Sequence, residues 1–262
     1  MNLCESRDIL PMLVVHNIRK HFGGLAALDD VSFEVTQGTI TSVIGPNGAG
    51  KTTLFNIVSG LLPPTTGSIT FQEAEVTGWS PHRIARAGLS RTFQNIQLFP
   101  TLNALENVIA ARDCRTHSTL LEALLFLPRD RRDRRRGREI AEELLTWVGI
   151  AAHRFLMPRE LPYGDQRRLE IARALATEPA LLMLDEPTAG MSHLEAQELM
   201  GLVGRLKERG TTILLIEHNM PMVMSHSDKI VVLNFGKKIA EGSAAQIQSN
   251  PEVIEAYLGV EA

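Results

Sequence analysis

The sequence predicts an α/β fold built as a phosphate-loop core. It has a mainly parallel sheet, an N-terminal antiparallel β region and an inserted α-helical subdomain. Three observations predict it. Gly45-Pro46-Asn47-Gly48-Ala49-Gly50-Lys51-Thr52 matches G-x-x-x-x-G-K-[ST] and lies between a strand-like and a helix-like run. Apolar β-rich runs recur near 181, 212 and 229, with a helix-like run between the first two, as in parallel sheets with covered faces. From Phe99 to about Leu161, β-branched patterning gives way to helical spacing.

Residues 12–18 and 28–35 read as strands with a turn at Gly23-Gly24. Gln37-Gly38 turns the chain into Thr39-Ile40-Thr41-Ser42-Val43-Ile44, β-branched and apolar as a buried strand should be. Residues 53–58 read as the first turns of a helix. Gly60 lies past its end and Pro63-Pro64 stops it. A short strand at 67–71 follows, then a helical turn at 81–87 closed by Gly88, then a strand at 89–93. Helical spacing sets in with Leu105, Val108 and Ile109. It continues with Leu120, Leu121, Leu124 and Leu125, and then Ile140, Leu144, Leu145 and Val148. A further helix spans 165–176. Strands return at 181–184, 212–216 and 229–233, with a helix near 194–207. Phe235-Gly236-Lys237 suits a tight hairpin, and short helices at 244–248 and 253–258 close the chain. The expected organisation is an extension at 1–11 and one domain at 12–262. The core of that domain covers about 12–93 and 177–262, and the helical subdomain about 95–176.

The chain has 262 residues, a formal net charge of −3, 22% charged and 44% hydrophobic residues, an ordinary globular balance. No basic excess suggests direct nucleic-acid binding. Residues 129–138 hold seven arginines and two aspartates but no aromatic to stack a base, which favours a solvated helix face over a nucleic-acid patch. Cys4 and Cys114 form no disulfide framework, so a reducing cytosol is expected. Met1 to Leu10 mixes Glu5, Arg7 and Asp8 with few apolar residues, unlike a signal peptide. No window approaches 18 uncharged apolar residues, so any membrane role requires partners.

The glycines of the loop let successive N–H groups point at an anion. The helix that follows adds its positive dipole end, roughly half a unit charge. Lys51 would reach the β- and γ-phosphates and Thr52 would ligate Mg²⁺. The second piece is Leu181-Leu182-Met183-Leu184-Asp185-Glu186, where an acid falls at the end of a buried strand. Ligands of open α/β sheets bind at that edge. Asp185 can hold Mg²⁺ alongside Thr52, and Glu186 can polarise an attacking water. His218 follows the strand at 212–216 and so reaches the same edge, although from spacing alone such a histidine is more often a surface residue. Gln94 follows the strand at 89–93 and by itself means little.

Lys51 in its loop, Gln94, Leu161-Pro162-Tyr163-Gly164-Asp165-Gln166, Asp185-Glu186 and His218 occur in the order found in ATP-binding cassette ATPases. The chain resembles that family from about Met12 onward. It is most similar to the ATP-binding subunits of branched-chain amino-acid importers. Phe22-Gly23-Gly24-Leu25, Arg91-Thr92-Phe93-Gln94-Asn95, Ile216-Glu217-His218-Asn219-Met220 and the tail from Asn250-Pro251 to Tyr257-Leu258-Gly259 carry that likeness.

The resemblance implies an ATPase powering uptake of branched-chain or other hydrophobic amino acids. Phe22 would stack on adenine, and Gly45, Pro46, Asn47, Gly48, Ala49, Gly50, Lys51, Thr52 and Thr53 would hold ATP. Gln94 would sense Mg²⁺, with Thr52 and Asp185 as the other metal residues, and would link the site to the helical subdomain. Glu186, His218 and Gln94 would be catalytic. Two cassettes, identical or related, would sandwich two ATP molecules, each against the partner's signature residues Pro162, Tyr163, Gly164, Asp165 and Gln166. Integral-membrane permease subunits would anchor the pair peripherally at the cytoplasmic face of the inner membrane. The alternative is a soluble cassette without transport; such proteins usually carry two cassettes or long coiled-coil insertions, and neither is present. A GTP-binding switch lacks its Asn-Lys-x-Asp segment here.

The common signature is Leu-Ser-Gly-Gly-Gln. Here Pro162 replaces Ser, Tyr163 the first Gly and Asp165 the Gln. Proline brings no N–H and no hydroxyl. Asp165 adds a negative charge near an anion site, although an acid suits a helix N-terminus. A weaker closed dimer is expected. The loop Ala189-Gly190-Met191-Ser192 lacks the usual Asp that crosses the dimer, which leaves communication between the two sites open.

Overall fold

The computed structural model describes residues 11–112, 115 and 128–258. The extension at 1–10, Cys4, Cys114, the leucines at 120–125 and the end of the tail from Gly259 lie outside the described residues. The chain forms two compact units, one from residues 1–80 and 204–262, the other Pro81–Val203.

The first unit contains two sheets. Strands β1 (Pro11–Phe22), β2 (Leu25–Thr36), β4 (Thr66–Phe71) and β5 (Ala74–Glu75) form an antiparallel sheet in the order β2-β1-β4-β5. Leu13 faces Val35 and Val15 faces Phe33, so one face packs inward. β1 runs four residues past the predicted end at Ile18. Shifts of register around Asn17 and Asp30, both at positive φ, absorb the irregularity and let polar Arg19 to His21 keep pairing. The sequence also concealed β5. Gln72 (φ 47°) and Glu73 (φ 66°) make the two-residue turn without a glycine to announce it.

In the second sheet of this unit β3 (Ile40–Ile44) lies between β8 (Thr212–Ile216) and β9 (Lys229–Asn234), parallel to both, and β10 (Lys237–Gly242) pairs antiparallel with β9. All five residues of β3 and of β8 are buried, polar Thr41, Ser42 and Thr212 included, as strands of a parallel sheet covered on both faces are. Helix α1 (Lys51–Val58) buries Leu54, Phe55, Ile57 and Val58, each such side chain contributing about 1.5–3 kcal/mol. Ile44, Val223, Ile230, Val232, Ile247 and Val253 form a shared core under α7 (Met220–His226), α8 (Ala244–Gln248) and α9 (Pro251–Leu258). Helix α7 was not predicted; the Asn219 side chain caps it by accepting the Met222 N–H.

The second unit pairs β6 (Leu89–Arg91) in parallel with β7 (Leu181–Asp185). Its helices are α2 (Pro81–Ala87), α3 (Ala104–Arg112), α4 (Pro128–Trp147), α5 (Tyr163–Ala176) and the first part of α6 (His193–Glu208). The division between Val203 and Gly204 falls inside α6. α3 packs on α4 and α5, burying Leu105, Val108, Leu145 and Val148 as the spacing predicted. On α4, Arg135 pairs with Glu139 at 2.9 Å and Arg138 with Glu142 at 3.0 Å, the i,i+4 pattern of a solvated helix face. β6 stops at Arg91, two residues short of the prediction, and beyond it the Thr92 N–H donates to the Met183 carbonyl of β7 and the Phe93 N–H to the Glu170 side chain of α5. No helix among the described residues is long and apolar enough to cross a membrane.

Candidate functional site

The phosphate loop follows β3 directly. Gly45 (φ 151°) and Gly50 (φ 101°) do more than free the backbone. A Cβ on Gly45 would lie 2.1 Å from the Leu233 carbonyl oxygen, and one on Gly50 2.7 Å from that of Ala27. The loop is wedged against β9 and β2, and only glycine fits. The Ala49 carbonyl accepts the Gly236 N–H at 3.1 Å, so the β9–β10 hairpin braces it as well. α1 begins at Lys51, two residues earlier than predicted. Its cap Gly50 offers no side-chain acceptor, and no acid sits in the first turn. That end therefore presents main-chain N–H groups and the positive end of the helix dipole to an anion with no carboxylate to oppose it. Lys51 is buried and donates from Nζ to the Gly45 and Pro46 carbonyls at 2.7 and 2.9 Å. Thr52 is exposed and Thr53 half-buried beside it.

β8 pairs in parallel with β3, Val43 opposite Ile216, so Glu217 and His218 leave the sheet at the same edge as Gly45. His218 is exposed there and its N–H donates to Glu217 Oε2 at 3.0 Å. Phe22 ends β1 at the hairpin tip, 49% exposed, with Lys20 Nζ 5.3 Å from its ring centre. From the other side, Tyr257 of α9 bonds the Gly45 main chain. Burial pushes its phenol up to about 12, against the lowering effect of that bond.

The second unit assembles the acids. Asp185 ends β7, 2% exposed, and Arg91 donates to its Oδ2 from Nη2 at 2.7 Å. Its N–H also donates to Thr92 Oγ1 at 3.3 Å. Glu186 takes a left-handed backbone (φ 47°), a strain of about 1–3 kcal/mol of the kind found at working sites. Its Oε2 accepts from Gln94 Nε2 at 2.9 Å. The structure thus brings Gln94, Asp185 and Glu186 into one cluster and adds Arg91, whose partner the sequence reading missed. Only the strand register brings them together: Arg91 faces Met183 across the β6–β7 ladder, two residues before Asp185.

α5 starts at Tyr163, two residues before its predicted start, with Pro162 as a cap that supplies no side-chain bond. Proline is pre-organised for such a position. The Asp165 carboxylate meets His153 Nδ1 at 2.7 Å, and Gln166 Nε2 donates to the Leu161 carbonyl at 3.0 Å. Gly164 is buried. Arg167 and Glu170 reach from the helix to the loop of Gln94. Arg167 donates to the Phe93 carbonyl at 2.9 Å and the Gln94 carbonyl at 2.5 Å, while Glu170 Oε1 accepts the Phe93 N–H at 3.1 Å. Burial holds the Glu170 carboxyl above the ordinary glutamate range, against the Phe93 N–H and Arg167.

Residues 28–189 match the family model of the ABC transporter. The chain belongs to the ABC transporter family. The tail of this cassette, residues 237–262, matches a second model, the branched-chain amino acid ATP-binding cassette transporter. The cassette is 44% identical to the high-affinity branched-chain amino acid transport ATP-binding protein LivG of Salmonella typhimurium, over 95% of this chain and 98% of that one. Among solved structures it is similar to the ADP conformation of MJ1267, an ATP-binding cassette of an ABC transporter, with a TM-score of 0.81 at 32% identity, over 95% of this chain and 99% of the other. It also resembles the cassette MJ0796, dimeric in a post-hydrolysis state bound to ADP and Pi, with a TM-score of 0.76 at 25% identity, over 89% and 99%. The α/β architecture with a parallel sheet and an N-terminal antiparallel sheet is that of these cassettes. As a member of this family the chain is an ATPase.

Proposed function

We propose that this cassette is the ATP-hydrolysing subunit of an import complex for branched-chain or other hydrophobic amino acids. The observation that carries the ATP chemistry is the loop at 45–52, a glycine cradle opening onto a helix end without side-chain cap or acid, with one buried lysine laid across it. The branch rests on the tail at 237–262 and on what its relatives are named for transporting.

In this reading the N–H groups of the loop and of Thr52 and Thr53 hold the phosphates, and Lys51 exchanges the two loop carbonyls for phosphate oxygens. Phe22 stacks on adenine, a contact worth about 1–3 kcal/mol. The residues fit Mg²⁺. Thr52 offers an exposed hydroxyl, Asp185 a carboxylate and Gln94 an amide oxygen. Held by Thr52, Asp185 and Gln94, Mg²⁺ would supply positive charge against the negative charge that develops on the phosphates. Glu186 orients and polarises the attacking water, and His218 contacts the γ-phosphate.

A second cassette, identical or related, presents Pro162 to Gln166 to each nucleotide, so that ATP joins the pair and loss of the γ-phosphate loosens it. Permease subunits hold the pair at the cytoplasmic face of the cell membrane. The test is uptake of labelled leucine, isoleucine and valine by cells deleted for this chain. Wild-type chain should restore uptake and Lys51→Ala should not. Normal uptake in the deletion strain rules the assignment out.

A further inference from the structure

The sequence left two questions in the second unit: what a tyrosine does in place of the first signature glycine, and how the loop after Glu186 communicates without its usual aspartate. One set of contacts answers both. The Tyr163 hydroxyl donates to the Ala189 carbonyl at 3.0 Å and accepts from Arg167 Nη2 at 3.1 Å. The same Arg167 nitrogen donates to the Gln94 carbonyl at 2.5 Å. Gln94 Nε2 donates to Glu186 Oε2 at 2.9 Å, and the Ala189 N–H donates to the Glu186 carbonyl at 3.1 Å. Arg167 also lies 5.5 Å from the centre of the Tyr163 ring. The bonds close a circuit from Glu186 to Gln94, Arg167, Tyr163, Ala189 and back to Glu186.

We propose that Tyr163 and Arg167 are positioning residues for hydrolysis, fixing Gln94 against Glu186 by tying the first turn of α5 to the loops on either side of that pair. The geometry requires both. Arg167 is buried and its planar guanidinium reaches the Phe93 and Gln94 carbonyls and the phenol at once, which a lysine ammonium on a flexible stem cannot do. Tyr163 connects that guanidinium to the Ala189 carbonyl in the loop after Glu186, and a glycine there would break the circuit. A disturbance of the signature turn is therefore transmitted to the Gln94–Glu186 bond through two side chains. Linked bonds of this kind lose more than one contact when a member is removed.

The inference rests on the ATPase reading of Glu186. The experiment measures kcat and KM for MgATP, and ATP affinity, for the full chain and for Tyr163→Phe, which keeps the half-exposed ring and removes only the hydroxyl. The expected result is a kcat lowered about five- to tenfold, as loss of one neutral and one charge-assisted hydrogen bond gives, with a smaller change in KM. Arg167→Lys should lower kcat at least as much, and adding Tyr163→Phe to Gln94→Ala should change kcat no further. Wild-type turnover by Tyr163→Phe overturns the proposal, as does an equal loss in the Gln94→Ala background. Glu186→Gln is assayed alongside. If it turns over at the wild-type rate, the assignment of Glu186 fails; if it is inactive while Tyr163→Phe is unimpaired, only the positioning role fails.

Discussion

Arg91 Nη2 donates to Asp185 Oδ2 at 2.7 Å, with the two side chains only 5% and 3% exposed. The guanidinium also lies 5.1 Å from the centre of the Phe93 ring, so Arg91 is gripped on two sides. A charge this deeply buried is tolerated only while its partner stays. Arg91→Met strands the Asp185 carboxylate and should lower stability by about 3–5 kcal/mol. The double change Arg91→Met with Asp185→Asn should recover most of that loss. Urea unfolding checks both, and an unaltered midpoint for Arg91→Met contradicts the pairing.

The glycines of the phosphate loop should not respond alike. A Cβ on Gly45 meets the Leu233 oxygen at 2.1 Å, whereas one on Gly48 (φ 80°) meets nothing within 4 Å. Gly48→Ala faces only the left-handed backbone, a cost of about 1–2 kcal/mol. Gly45→Ala must push main chain apart as well and should cost about 3 kcal/mol or more. Thermal melting of the two variants ranks them; a Gly48→Ala that melts lower than Gly45→Ala reverses the order.

What could be read from the sequence was local. The phosphate loop is eight consecutive residues with a strand before and a helix after; β7 and β8 announce themselves as apolar runs, 181–184 and 213–216, and β3 as a β-branched one. What could not be read was pairing at a distance. Gln94 and Glu186 are 92 positions apart, and Arg167 and Gln94 are 73 apart. No periodicity connects them; only the parallel pairing of β6 with β7 and the docking of α5 do. The left-handed turn at Gln72 and Glu73 was missed because neither residue type advertises it. The signature helix starts two residues before the expected Asp165, with Pro162 at its cap position, where no side-chain bond marks the start. Asp165, a negative charge near an anion site that also suits a helix N-terminus, has His153 beside it, 12 positions away and invisible to local spacing.

Tyr257 connects the C-terminal helix to the first glycine of the phosphate loop, and its phenol is pushed from 10.0 up to about 12. The raised value means that the folded chain favours the neutral phenol. Its contribution to stability is complete below pH 10 and is lost as pH rises from 10 toward 12. Tyr257→Phe should therefore melt with a flatter profile than wild type across that window. Parallel profiles for the two proteins contradict the coupling.

The central claim is that this cassette grips ATP through the loop around Lys51 and cleaves it with Glu186. Binding of ATP and its turnover, measured side by side for wild type and Glu186→Gln, test it most directly. Glu186→Gln should bind MgATP as tightly as wild type and hydrolyse it about 10²–10⁴-fold more slowly, the loss expected of a general base. Hydrolysis at the wild-type rate by Glu186→Gln contradicts the account.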